Sequence, residues 1–321
     1  MFIESPKVSI IIQVGSEIKY FSETIDSILS QTFADFEILV FHHRQSQNLI
    51  ECYHRWSDSR LRLFFQDNLD SAQIFNLGID KAKGEYLAFL QADDLWHPRK
   101  LQKQVFCLDC YPDVGLVHSW LMLLEAKGTA NKVFKYQLNG WVEAEILERN
   151  QIDCSSVMIR RSCLDKVGLF DPKLQTAFDW DMWIRLSRYY RFMAIAKPLV
   201  YCRERQRIMD SWLSMETDFQ ATIEKAYKNA PRELLAIKER SYAFVSLSLA
   251  WQVLENQNPN PTIANNYCRQ ALEHSSSIGF SGEFLQVSLA VLTLQCLKSD
   301  GYKRLVSLIR AIASRLQIIF N

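Results

Sequence analysis

The chain contains no apolar stretch approaching the roughly 18–20 residues needed to cross a bilayer, so no membrane-spanning helix is expected. Lys7 precedes only a short strand-like run, which offers no secretory signal sequence. There is no excess of either charge. The 37 Lys and Arg against 36 Asp and Glu leave a formal net charge of +1, so electrostatics gives no reason to expect nucleic acid as a partner. Cys107 and Cys110 form one Cys-x-x-Cys, but no second pair or nearby His completes a zinc site. The 8 cysteines are scattered through apolar patterns, as reduced core thiols are. No Gly-rich phosphate loop with a Lys follows the first strand-like run, which argues against a nucleotidyltransferase of that type. These absences lead to an expected cytoplasmic protein, or one peripheral at the inner membrane face.

The 321 residues are 48% hydrophobic, ample for a packed core. The first part alternates strand and helix patterns. Phe21, Ile25, Ile28 and Leu29 lie on one helical face, and Leu49, Tyr53 and Trp56 give a second. Ile38–Phe41 and Leu61–Phe65 read as buried strands, and Ala72–Ala82 as a helix closed by Lys83-Gly84. That order predicts an α/β fold with a mostly parallel sheet. After about Gln206 the strand patterns stop. Helical segments are expected near 213–229, 232–256, 261–275 and 282–320, with a loop at Asn256–Pro261. The expected domains are therefore 1–206, Rossmann-like, and 207–321, all-α. In the tail, Leu305, Ile309, Ile312 and Leu316 alternate with Lys303, Arg304, Arg310 and Arg315. Such a basic amphipathic helix can lie on an anionic membrane or pack on its neighbours.

The stretch Gly84–Pro98 holds the strongest chemical signal. A buried strand, Tyr86–Leu90, runs into Gln91-Ala-Asp93-Asp94 and then a helix start at Pro98. Acids at the carboxyl end of such a strand lie where open α/β sheets bind ligands, and they can hold a divalent cation against phosphate oxygens. One of them can equally cap the helix, and Asp94 is expected to do so. Further on, Asp179-Trp-Asp181-Met-Trp-Ile-Arg-Leu186 places two acids at another helix start, where the dipole favours an ionised carboxylate.

In order and spacing these segments resemble a family-2 glycosyltransferase, an inverting enzyme of GT-A fold that uses nucleotide sugars. The resemblance runs from about Val8 to Arg205. It is carried by Val8–Ile12, Thr24–Thr32, Phe36–Val40, Asn76–Ile79, Ala82–Tyr86, the Gln91–Asp94 stretch and Asp179–Leu186. It implies a nucleoside diphosphate sugar donor, a glycan or lipid-linked acceptor, and Mn²⁺ or Mg²⁺ across the two phosphates. Asp93 matches the last acid of the family's Asp-x-Asp motif and becomes the candidate metal ligand. Gln91 stands where the motif has its first acid, and its amide can still hydrogen-bond a ribose hydroxyl. Asp179 matches the second acid of the family's Glu-Asp pair and becomes the candidate base, with Asp181 the alternative. Arg203 and Arg205 match a basic segment that can reach the diphosphate.

The resemblance departs at the nucleotide end. Gln13–Ser16 replaces the loop that packs on the base, and His42-His43 replaces the acid pair that grips it. A neutral His can accept from a base N–H, and a protonated one cannot. Phe75 stands for a common Arg, and Phe178 for the first acid of the Glu-Asp pair. Two functions remain open at this level: an active sugar transferase, or a non-catalytic relative that binds sugar nucleotides or glycans or serves as a scaffold.

Overall fold

β1 (Val8–Val14) is apolar on both faces and buried along almost its whole length, the pattern of an interior strand covered on both sides. It pairs in parallel with β2 (Phe36–His42), reached through α1 (Phe21–Leu29). β2 pairs in parallel with β3 (Leu61–Phe65), and β1 also with β4 (Tyr86–Gln91), reached through α2 (Ser71–Lys81). The second half of the sheet is mixed. It contains β5 (Leu95–Trp96), β6 (Val114–Leu124), β7 (Ala130–Phe134), β8 (Met158–Arg160) and β9 (Arg191–Arg203), in the overall order β3-β2-β1-β4-β8-β6-β9-β5 with β7 beside β6. The helices of this half are α3 (Lys100–Cys110), α4 (Glu143–Glu148), α5 (Leu164–Val167) and α6 (Phe178–Ser187). β8 is antiparallel to both β4 and β6, while β6 and β9 are parallel. β6 and β9 therefore run in the direction of β4, and the carboxyl ends of β1, β2, β4 and β9 share one edge of the sheet.

The computed structural model describes residues 5–15, 19–42, 55–67, 69–124, 130–203, 211–228, 230–256 and 258–296. Ser16, His43, Leu49, Tyr53, Arg205 and the amphipathic tail at 302–320 lie outside the described residues. The chain forms two compact units, Met1–Ile146 with Gln151–Glu204, and Leu147–Asn150 with Arg205–Asn321.

Two glycines set how closely α2 and its exit approach β1. A Cβ on Gly78 would stand 2.3 Å from Ile11 Cγ2, and one on Gly84 would stand 2.5 Å from the Ser9 backbone nitrogen. Gly84 does not close the helix, contrary to the sequence expectation. α2 ends at Lys81 with Ala82 as its C-cap, and the only positive-φ glycines among the described residues are Gly140 and Gly168. Gly84 is needed because backbone meets backbone there. Its N–H donates to Ser9 Oγ at 2.8 Å, and Ser9 Oγ donates to the buried Glu37 carboxylate at 2.7 Å.

The second unit is helical: α7 (Ser211–Tyr227), α8 (Arg232–Leu235), α9 (Lys238–Leu254), α10 (Pro261–His274), a 3₁₀ turn at Ser276–Phe280, and α11 at 282–296. The single helix expected over 232–256 is thus two. α10 begins where the loop signal ends. Asn260 Oδ1 accepts from the N–H groups of Thr262 and Ile263, and Pro261 occupies the first turn. Ala243, Leu247, Ala271 and Ile278 form the unit's buried cluster. No described helix is long and apolar enough to cross a membrane.

Candidate active site

The sheet register fixes the first residues of the site. Gln13 pairs with Gln91 across β1 and β4, and Val14 with His42 across β1 and β2. Gln13 and Gln91 are half-buried, and His42 is buried. Asp93 follows two residues beyond Gln91 in a turn and is half-buried. The carboxyl edge thus brings together Gln13, His42, Gln91 and Asp93.

Asp94 is buried, at 1% exposure, and serves as a clasp. Its Oδ2 accepts from Ser155 Oγ at 2.7 Å, and its Oδ1 from the Arg203 backbone N–H at 3.3 Å. Its own carbonyl and that of Ala92 both accept from Thr24 Oγ1, at 3.0 and 2.9 Å. The expected helix cap is therefore corrected. α3 starts at Lys100 behind Arg99, with no side-chain cap, and Asp94 instead joins β4 to β9 and to the turn at Cys154–Ser156. The same Ser155 hydroxyl receives the Gln91 N–H at 3.4 Å.

Arg203 ends β9 with its side chain 7% exposed. Its Nε donates to the Asp93 carbonyl at 3.1 Å, its Nη2 donates to Glu23, and its guanidinium lies 4.0 Å from the Tyr20 ring centroid. Arg203 therefore sits against the Asp93 turn.

α6 leads through a short turn into β9, so its first turn returns to the carboxyl edge. Asp179 sits in that turn, half-buried, with Oδ1 accepting from the Trp180 N–H at 2.6 Å. Asp181 is committed elsewhere. It is buried and forms an ion pair with Arg185 at 2.8 Å, and Arg185 donates on to the carbonyls of Val167 and Leu169. Trp180 Nε1 donates to the Ile146 carbonyl at 2.6 Å, fixing the outer face of the helix.

The two departures at Phe75 and Phe178 are in contact. Their rings are 5.8 Å apart, and both pack on Phe170, at 5.8 and 5.6 Å. Phe89 and Trp183 extend the cluster. An apolar group stands behind Asp179 where the family pattern has charge.

A second layer was not legible in the sequence. Cys154 is fully enclosed, and its thiol is pushed well up by burial and by the charges of Asp179, Asp153 and Asp94, with Lys100 opposing. One thiol thus feels carboxylates from α6, from the 153–156 turn and from the end of β4. Lys100 is also fully buried, and burial drives its amine well below the ordinary lysine range. Its Nζ donates to Gln104 Oε1 at 2.7 Å and lies 3.8 Å from the Trp96 ring centroid. Gln104 Nε2 in turn donates to the carbonyls of Val117 and Ser156. No local motif marks these residues, because the turn they hold takes its meaning from β4, far away in sequence.

A divalent cation has a donor set here. Ligand atoms of Asp94, Asp153 and Cys202 all lie within 4.8 Å of one another. Two carboxylates suit a hard cation such as Mn²⁺ or Mg²⁺, whereas the thiol is a soft ligand that does not discriminate between them, and both Asp94 oxygens also accept hydrogen bonds. Asp93, the sequence candidate, is adjacent to this cluster and not a member of it. No disulfide joins any of the seven described cysteines.

Comparisons with known proteins follow the same lines. The chain is 28% identical over 219 residues to an uncharacterized glycosyltransferase of Methanocaldococcus jannaschii, covering 66% of this chain and 74% of that protein. It is 27% identical over 192 residues to the amylovoran biosynthesis glycosyltransferase AmsB of Erwinia amylovora, covering 55% of this chain and 62% of that one. Among solved structures it resembles a mannosyltransferase of Pyrobaculum calidifontis in complex with GDP-Man and Mn²⁺. There the TM-score is 0.58 at 18% identity, over 98% of this chain and 88% of that one. The α/β unit is thus a GT-A fold, followed by a helical region. The family model for glycosyltransferase like family 2 matches residues 7–243, most of the chain, and the protein belongs to that family of transferases.

Proposed function

We propose that this glycosyltransferase moves a sugar from a nucleoside diphosphate sugar to a glycan or lipid-linked acceptor, with inversion at the anomeric carbon. The observation that supports this reading is the turn after β4, where Asp93 and Asp94 follow the strand end, Asp94 is held by Ser155 at 2.7 Å and Arg203 of β9 donates to the Asp93 carbonyl at 3.1 Å. In this reading residues 1–206 carry the chemistry and 207–321 form a helical accessory domain. Asp179 takes the proton from the attacking acceptor hydroxyl. Gln91 and Gln13 hydrogen-bond the nucleoside, and His42 lines the base end of the cleft. Asp93 faces the diphosphate, with Asp94 and Asp153 beside it as the carboxylates that would hold a divalent cation. When bound, that cation neutralises charge developing on the leaving diphosphate. Arg203 adds fixed positive charge at the same edge, and Arg205 is assigned to the diphosphate with it.

The phenylalanine pair at 75 and 178 favours a second reading, a relative that binds sugar nucleotides without transfer. Turnover of donor by wild type and by Asp179→Asn separates the two. Donor binding with no turnover in the wild type supports the second reading and refutes the first.

A further inference from the structure

Within the helical unit, α7, α9 and α10 line an open cavity of about 250 Å³. Its polar wall consists of Glu216 and Gln220 from α7, Tyr242 from α9, and Gln270, Glu273 and His274 from α10. Neighbours hold most of these groups in place. Tyr267 Oη donates to Glu216 Oε2 at 2.9 Å, and Gln220 Nε2 to Glu216 Oε1 at 3.4 Å. Tyr242 Oη donates to Glu224, and His274 Nδ1 meets Glu239 Oε2 at 2.8 Å. The Tyr242 and His274 rings stack at 4.9 Å and 17°. Burial and the facing carboxylates push the Tyr242 and Tyr267 hydroxyls well above their ordinary range, so both remain protonated donors.

The chemistry of this wall selects a ligand class. Carboxylates only accept hydrogen bonds, whereas amides donate and accept. Together they suit an array of hydroxyl groups, and the stacked Tyr242–His274 pair belongs to the same wall. No Lys or Arg is among the lining residues, and Arg269 beside them is paired with Glu273 at 3.6 Å, so a phosphate or a sugar acid meets mainly carboxylates, and the diphosphate donor is selected against. The volume lies below the about 300–1,000 Å³ of clefts for drug-sized ligands, which limits the occupant to about one ring. We propose that this cavity is a secondary site for one neutral sugar unit, holding the acceptor glycan at a position separate from the donor cleft. The proposal rests on the reading of the protein as a transferase to glycans.

The test is saturation-transfer NMR on the full chain with methyl glucoside, galactoside, mannoside and N-acetylglucosaminide, with spermidine as a cationic competitor. At least one glycoside should bind, should persist when UDP, GDP or dTDP is added, and should lose about tenfold or more in affinity in Gln270→Ala and in Tyr242→Ala. Should Tyr242→Ala fail to fold, Gln270→Ala and Glu273→Gln carry the test. Absence of binding by every glycoside overturns the proposal. So do displacement by nucleotide, displacement by spermidine, and binding unchanged in the variants. Donor calorimetry on the same preparation reads the transferase assignment independently, because none of these residues belongs to the α/β unit.

Discussion

The phenylalanine pair gives a sharp test of how this site departs from its family. Phe75 and Phe178 are 0% and 7% exposed, with rings 5.8 Å apart. Phe178→Glu removes an aromatic side chain from the cluster and places a carboxylate against Phe75 and Phe170. Core aromatic truncation and an unpaired buried charge each cost about 3–5 kcal/mol. The two together come to about 6 kcal/mol or more, against a total stability of about 5–15 kcal/mol, so the variant should unfold at about 3 M less urea or fail to fold, at a slope of about 2 kcal/mol/M. Phe75→Arg should cost a similar amount. The double variant restores opposite charges across the same contact and should be more stable than the sum of the single losses predicts, by about 2 kcal/mol. Urea unfolding followed by tryptophan fluorescence measures all four proteins. Strict additivity, within about 0.5 kcal/mol, would refute the idea that the two positions changed as one contact.

Three further outcomes follow from single sites. Asp179→Asn should lower turnover by about 10²–10⁴-fold while leaving donor affinity within a few-fold, read by a coupled assay of nucleoside diphosphate release. Gly84→Ala should cost about 1–3 kcal/mol and lower the melting temperature by several degrees, read by calorimetry, because the new methyl meets the Ser9 and Val8 backbone at 2.5 and 2.7 Å as well as Ser9 Oγ. His118 is buried, its Nε2 donates to the Leu138 carbonyl at 3.1 Å, and burial lowers its pKa to about 4. The unfolded chain then takes up this proton near pH 6.5 and the folded chain only near 4. The neutral ring contributes stability that is present above pH 6.5 and lost as pH falls to 4, about 3 kcal/mol in all. Urea midpoints across that range should show the slope, and His118→Phe should flatten it.

Much of the α/β unit was legible because period and burial coincide. Val8–Val14, Phe36–His42 and Tyr86–Gln91 are apolar runs that can only be interior strands, and their parallel order follows from the helices between them. The edge positions of Gln13, His42 and Gln91, with Asp93 in the turn beyond, follow from the strand ends, while the roles proposed for them come from the family resemblance alone. Asp94 was misassigned because a helix start follows it in sequence, while Ser155 and the Arg203 amide, 61 and 109 residues away, compete for its oxygens. Gly84 was misassigned for a similar reason, since a close approach between backbones leaves no trace in local spacing. Lys100, Gln104, Asp153 and Cys154 had no signal at all. A lysine at a helix start ordinarily reads as solvated, and only the fold encloses it.

The most direct test of the central claim is isothermal titration calorimetry of the full chain with UDP-, GDP- and dTDP-sugars, with and without Mn²⁺. The account predicts that at least one of them binds, more tightly with Mn²⁺, and that Asp153→Asn removes the metal dependence. Failure of all three classes to bind in the presence of Mn²⁺ would contradict the assignment of the carboxyl edge as a donor site.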